Sequence, residues 1–380
     1  MENVLVSNIP IGVRKTYKKQ GLYVVPTFVR LIGKLTNTNY EISLNNLDSF
    51  RDNSEYLDLF KENVNHITED DNIYICDRDI IDNWEIGFRR LIELGYIVKT
   101  KKNIKSCACK RIEYNDSVEI YEKKLISSEH EKQYCPFCKS ILNSEYMDVL
   151  VFRIPKEIRK PKIYPKNHTK NVHNQLDNFL GEELVISKQK ETGFNIQLED
   201  LSFNIDIEFL NLFMLASQRY EKKIIISSLH SVYHQILTYF LHFLIYDNSD
   251  YLMVFVSYLV SSRKEQNRHL DNEVKLLDTS YNLDLQILIL VSSSWKRDVC
   301  CWKTDYFNTK FCKNDLDSKK NIIANSLQKY QSSIDIYEFE DIVCKVADIK
   351  NLTKEIYEQI YKNWNKESYR KLYKKRWNTK

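Results

Sequence analysis

The chain has 380 residues, 43% of them hydrophobic and 28% charged, with a formal net charge of +4. That is enough chain for two domains with a full core, and too mild a charge to name a partner. Seven glycines are too few for several glycine-lined phosphate loops, and nine unevenly spread cysteines argue against a disulfide framework and for thiols plus a metal site.

Met1-Glu2-Asn3 is followed by no basic region and no long apolar run, and the runs 236–246 and 285–291 are too short and interrupted to cross a bilayer. A cytoplasmic protein without a membrane segment is expected. Val4-Leu5-Val6 predicts a strand. A helix follows Gly21, with Val25, Phe28, Val29 and Ile32 on one face and Pro26 in its first turn. Tyr40–Leu44 predicts a second strand, ending in Asn45, Asn46 and Asp48. A glycine turn between strand and helix is the layout of a nucleotide-binding unit, and equally of an ordinary turn. A helical pattern covers 55–67 and a short strand 73–76. Ile81, Trp84, Phe88, Leu91 and Ile92 then fall at helical steps, closed by Gly95.

Two close cysteine pairs follow, Cys107 with Cys109 and Cys135 with Cys138. Four thiolates on two tight turns suit tetrahedral zinc, with sulfur at about 2.3 Å. Four protein ligands leave no open position, so the metal would be structural; free surface thiols are the other reading, and His130 is a substitute ligand. Strands are predicted at 148–155 and 182–187. Between them lie Lys156, Arg159, Lys160, Lys162, Lys166 and Lys170 with His168, which read as a solvated loop or as a place for a nucleic-acid backbone. A helix over 205–219, a strand over 223–227, an apolar helix over 230–246 and a buried strand over 251–260 come next. His230 and His234 are one helical turn apart with no third ligand in view. Helices are predicted at 316–330, 336–346 and 352–364. They lead to a basic tail, 366–380, with seven Lys or Arg against one Glu.

In segment order and spacing, residues 11–300 resemble the catalytic core of the class I aminoacyl-tRNA synthetases, in the glutamyl branch. Laid against this chain, the family's Tyr before its His-Ile-Gly-His turn falls on Tyr17, its Gly on Gly21 and the last Asp of its acidic trio on Asp48. Lys19 stands at the first His, Leu22 at the fourth position, and Asn45 and Asn46 replace the Glu and first Asp. Leu91–Tyr96 resembles the segment before the family's zinc knuckle, and Asp148–Pro155 its strand ending Phe-Arg-Ile-Pro. Glu182–Ser187 is similar to its Asp-Phe-Val-Ile segment. Ile224–Ser227 stand where it carries Arg-Gly-Glu-Asp. Ser280–Trp295 is similar in length to a Gly-Tyr-Leu-Pro-Glu segment; counting back from Tyr281 puts Arg263 and Gln266 on the two lysines of the mobile Lys-Met/Leu-Ser-Lys-Ser/Arg loop.

The resemblance implies an α/β fold with a doubly wound, Rossmann-like parallel sheet, a zinc-knuckle insert and a C-terminal helical region. Its divisions would be 1–104, 105–145, 146–300 and 301–380. It implies ATP, an amino acid and tRNA as ligands, with Lys19, Gly21, Arg263 and Lys264 in the catalytic positions. Tyr17, Gly21, Asp48 and Arg263 would contact the nucleotide, and Cys107, Cys109, Cys135 and Cys138 the zinc. Gln266 cannot meet the charge that develops on transferring phosphates, and such a loss is worth on the order of 10²–10³ in rate. The expected function is a glutamyl-tRNA synthetase-like protein that binds tRNA or nucleotide with weak or altered aminoacylation chemistry. An active ligase using Lys19, Arg263 and Lys264 and a non-catalytic zinc-stabilised interaction protein are the alternatives.

Overall fold

The computed structural model describes residues 4–12, 24–36, 38–45, 73–76, 84–106, 113–114, 127–129, 132–134, 139–188, 194–198, 200–247, 250–260 and 299–301. In chain order the first elements are strands β1 (Val4–Asn8) and β2 (Ile11–Gly12), helix α1 (Val24–Thr36), and strands β3 (Asn39–Asn45) and β4 (Ile73–Cys76). Helix α2 (Glu85–Glu93) follows, then strands β5 (Ile97–Ser106), β6 (Glu113–Tyr114), β7 (Ser127–Glu129), β8 (Lys132–Tyr134), β9 (Asn143–Arg153) and β10 (Lys162–Tyr164). After a 3-10 turn, Lys166–His168, come helix α3 (Thr169–Asp177) and strands β11 (Glu183–Val185), β12 (Ser187–Lys188), β13 (Phe194–Leu198) and β14 (Leu201–Ile205). Helix α4 (Ile207–Ser217), strand β15 (Lys222–Ser227), helix α5 (Val232–Tyr246), and strands β16 (Tyr251–Phe255), β17 (Tyr258–Val260) and β18 (Val299–Cys301) complete the described chain.

Seven strands make one wholly parallel sheet, in which β10, β16, β15, β1 and β3 lie side by side and β2 and β4 both pair with β3. Leu44 and Asn45 pair with β2 and with β4, so these two strands take opposite edges of β3. Every residue of β1, β15 and β16 is buried, as parallel strands covered on both faces must be. Helix α1 packs on β3 through Gly33. A Cβ there would sit within 2.4–2.7 Å of the Tyr40 side chain, so only glycine allows this approach. Helix α5 is buried nearly all round. Its Gln235 Nε2 donates to the Ile225 and Val254 carbonyls at 3.2 and 3.4 Å, tying the helix to β15 and β16.

The ladder between β1 and β3 has a join in it. Pro10, which has no N–H, separates β1 from β2, and the register slips there: Ser7 faces Glu41, yet Ile11 faces Leu44. Asn8 fills the gap with its carboxamide. Its Nδ2 donates to the Ser43 carbonyl and its Oδ1 accepts from the Ser43 N–H, both at 2.8 Å. The side chain thus replaces the missing peptide group.

A second, antiparallel sheet has the order β11, β9, β5, β6. The β5–β9 pair runs from Ile97 opposite Phe152 to Ser106 opposite Asn143. Its inner end, with Ile97, Leu150 and Phe152, joins the same apolar core as α2, α3, α4 and α5. Strands β12, β14 and β13 form a third sheet, and β7 with β8 and β17 with β18 form two-stranded pairs. Gly95, at φ 76°, closes α2, and the Tyr96 N–H reaches back 2.8 Å to the Leu91 carbonyl. Among the described residues no helix is long and apolar enough to cross a membrane.

Candidate functional site at the carboxyl ends of the strands

Strand order fixes where a parallel sheet opens. From β1 and β2 the chain moves through α1 to β3 on one side, whereas β15, on the other side of β1, leads through α5 to β16. The direction of winding therefore reverses between β1 and β15, and the crevice at their carboxyl ends is where open α/β sheets bind ligands.

Several buried polar side chains lie at these ends. Ser7 and Asn8 on β1, Ser43 and Asn45 on β3, Ser227 at the end of β15 with Ser228 just after it, and Ser257 after β16 are all buried. Most have partners: Ser7 Oγ and Ser43 Oγ are 2.9 Å apart, and Ser227 Oγ donates to the Ser228 carbonyl at 2.9 Å. Asn45 differs. It is 7% exposed, lies at the end of β3 between Gly12 and Cys76, and its Oδ1 has no partner among the described residues. A buried carbonyl oxygen left unpaired costs about 1–3 kcal/mol, so such an acceptor asks for a ligand or a neighbouring donor.

The sheet edge formed by β10 is basic. The carboxyl end of edge strand β10 is level with that of β16, Tyr164 facing Val254. Lys156, Arg159 and Lys160 in the segment leading into the amino end of β10, Lys162 at its start, Lys166 in the 3-10 turn and Lys170 in the first turn of α3 are all exposed. Lys160 is tied to Asp177 at 2.7 Å. His168 is buried edge-on against Phe255, with ring centroids 6.3 Å apart.

The sequence-predicted site residues are distributed as follows. Tyr17, Lys19 and Gly21 lie in the connection from β2 to α1, Asp48 follows β3, and Arg263, Lys264 and Gln266 follow β17; all lie outside the described residues. So do Cys107, Cys109, Cys135 and Cys138, the intervening His130, the predicted helix 55–67 and everything from 302 onward. The paired ends Ser106 and Asn143 are where the cysteine-bearing stretch leaves and rejoins the β5–β9 ribbon. Among the described residues no group of three or more His, Cys, Asp or Glu could hold a metal ion. His230 is exposed and His234 half-buried. Ile224, Ile225, Ile226 and Ser227 are buried in β15, as their apolar character predicts, so that strand brings no charge to the crevice. Sequence reasoning missed the Asn8 join and the unpaired Asn45 oxygen; Asn-x-Pro at a strand's end was the available signal for the first.

The parallel sheet with an antiparallel insert between its halves matches the fold of solved class I aminoacyl-tRNA synthetases. The particular solved structures it resembles are methionyl-tRNA synthetases of Mycobacterium tuberculosis. One in complex with methionyl-adenylate matches with a TM-score of 0.60 and 10% identity, over 97% of this chain and 87% of that one. A second, bound by methionyl-adenylate, has a TM-score of 0.55 and 9% identity over 86% and 71%. The apo form has 0.53 and 11% over 86% and 68%. At such identity the likeness is one of fold. No protein-family model matches the chain, and no curated protein does.

Proposed function

We propose that this chain is a synthetase-like protein that binds ATP in the crevice between β1 and β15 and tRNA along the basic edge, with weak or altered aminoacylation chemistry. The observation that carries the reading is the meeting of buried polar groups, Asn45 above all, at the switch point of a synthetase-type parallel sheet. The family reaction activates an amino acid with ATP and passes it to the terminal ribose of tRNA. It depends on positioning and on fixed charge.

Here Asn45 supplies a neutral acceptor where the resemblance has a carboxylate, and Ile224–Ile226 supply none of the charged groups expected on β15. Tyr17, Gly21, Asp48 and Arg263 would contact the nucleotide, and Lys19, Arg263 and Lys264 would have to carry the phosphates. The basic edge suits an RNA backbone, because phosphate neutralisation needs clustered cations and no particular sequence. Four cysteines whose chain leaves and rejoins one ribbon suit a structural zinc: Cys107, Cys109, Cys135 and Cys138 would hold it, and the metal would order a polar insert. The glutamyl resemblance and the methionyl fold neighbours make glutamate and methionine the first amino acids to try.

Two measurements test the reading. In a pyrophosphate exchange assay, each amino acid with ATP should give exchange well below that of an ordinary synthetase; exchange at full rate would establish the active-ligase alternative instead. In a mobility-shift assay with bulk tRNA, binding should weaken steeply as salt is raised. An absence of salt-sensitive binding would contradict the tRNA half of the proposal and leave a zinc-stabilised interaction protein.

A further inference from the structure

At the opposite, amino-terminal edge of the sheet a cavity of about 800 Å³ opens between α2, the turn from α4 to β15, and the end of α5. Its size lies within the range of small-molecule clefts, roughly 300–1,000 Å³. The strand β15 separates it from the crevice described above by its own six residues, Lys222–Ser227. The walls are built on rigid elements. At Gly87 a Cβ would meet Ser217 Oγ at 2.7 Å and Ile245 Cδ1 at 2.9 Å, so α2 is pressed onto α4 and α5 here.

Two arginines from different elements line the cavity, Arg90 from α2 and Arg219 from the turn. The neighbouring Arg89 is engaged by Glu85 at 2.5 Å on the outer face of α2. Both Arg219 and Arg90 act on Tyr246: burial raises its phenol pKa, and the two cations pull it back. The Tyr246 hydroxyl donates to the Ser217 carbonyl, which fixes the ring in the wall. Glu221 is the acid on the lining, and Glu41, held by Gln218 Nε2 at 2.8 Å, acts on Tyr220 from outside it. Apolar surface completes the site: Ile245 is buried in the wall, the half-buried Tyr220 lines it, and Ile86 is left 79% exposed at the lip.

We propose that this cavity binds a small organic oxyanion, a carboxylate or phosphomonoester carrying an apolar or aromatic body. The oxyanion lies between Arg90 and Arg219, whose planar forks suit either group. The body lies along Tyr220, Ile245 and Ile86, where it covers an isoleucine otherwise in water. The proposal stands on the cavity alone and is independent of the reading of the strand-end crevice.

The test is a calorimetric titration of the full chain with phenyl phosphate, benzoate and the neutral benzyl alcohol. One of the two anions should bind saturably, and at least about tenfold more tightly than the alcohol. Which anion binds more tightly identifies the head group. The paired change Arg90→Gln with Arg219→Gln should cost about tenfold or more in affinity. Ile86→Glu, at an exposed position that leaves the fold intact, should weaken binding similarly by placing a carboxylate at the lip. Saturable binding of neither anion, or binding unchanged in both variants with native thermal unfolding, overturns the proposal.

Discussion

Asn8 holds two strands in register with one carboxamide, and the energy of that join can be measured. Asn8→Ala leaves the Ser43 N–H and carbonyl unpaired inside the sheet. With orphaned buried groups costing about 1–3 kcal/mol each, a loss of about 2–6 kcal/mol in urea unfolding is expected. A change within experimental error would mean that the join is not structural. His242 makes a second residue-scale prediction. It is fully buried beneath β16, its Nδ1 lies 2.9 Å from the Ala216 carbonyl, and its Nε2 has no partner among the described residues. Burial, with the charge of Lys223, lowers its pKa well below the ordinary 6.5. The unfolded chain therefore takes up a proton near its ordinary pKa while the folded chain does not. Stability is fully present above that value and falls as pH drops below it, toward the folded pKa. Unfolding free energy measured from about pH 8 to pH 5 should fall more steeply for the native chain than for His242→Phe. Parallel curves would contradict this assignment.

Elements whose neighbours dictate their pattern were legible in the sequence, and those defined by partners were not. The strand at Ile73–Cys76 and the buried run Ile224–Ser227 were readable because parallel strands are apolar without alternation. Strand β5 was not, because its outer half, Lys101–Ser106, is polar and owes its conformation to pairing with β9. For the same reason β9 begins at Asn143, before the predicted Asp148. The hairpin of β13 and β14 was also missed, since its residues are mostly half-exposed. The predicted strand 251–260 divides after Phe255: β16 stays with β15, whereas β17 takes β18 as its partner, and hydropathy does not encode a change of partner. The site was legible as a place, the strand ends, but not as groups, because its polar groups are isolated Asn and Ser residues without a motif. The β5–β9 ribbon makes the element-scale prediction. Metal analysis of the purified chain should find one zinc, and Cys135→Ser with Cys138→Ser should remove it and expose 110–134 to protease. Equal zinc in that variant would exclude these thiols as ligands.

At the scale of the whole molecule, two edges of one sheet carry different chemistry. The carboxyl edge has buried neutral polar groups, with exposed Lys166 and Lys170 just beyond β10, whereas the amino edge has the arginine-lined cavity and the fully buried Lys223, whose Nζ donates to the Leu215 carbonyl at 2.7 Å. The fold is that of the class I synthetases, and fold alone does not assign activity. What the account requires is that nucleotide occupies the carboxyl edge. Photolabelling with an azido-ATP, followed by peptide mapping, measures this directly. The label should fall on peptides from 13–23 and 261–268, the stretches that continue from β2 and β17, and unmodified ATP should suppress it. Label that ATP does not suppress, or that is absent from both of these peptides, would contradict the account.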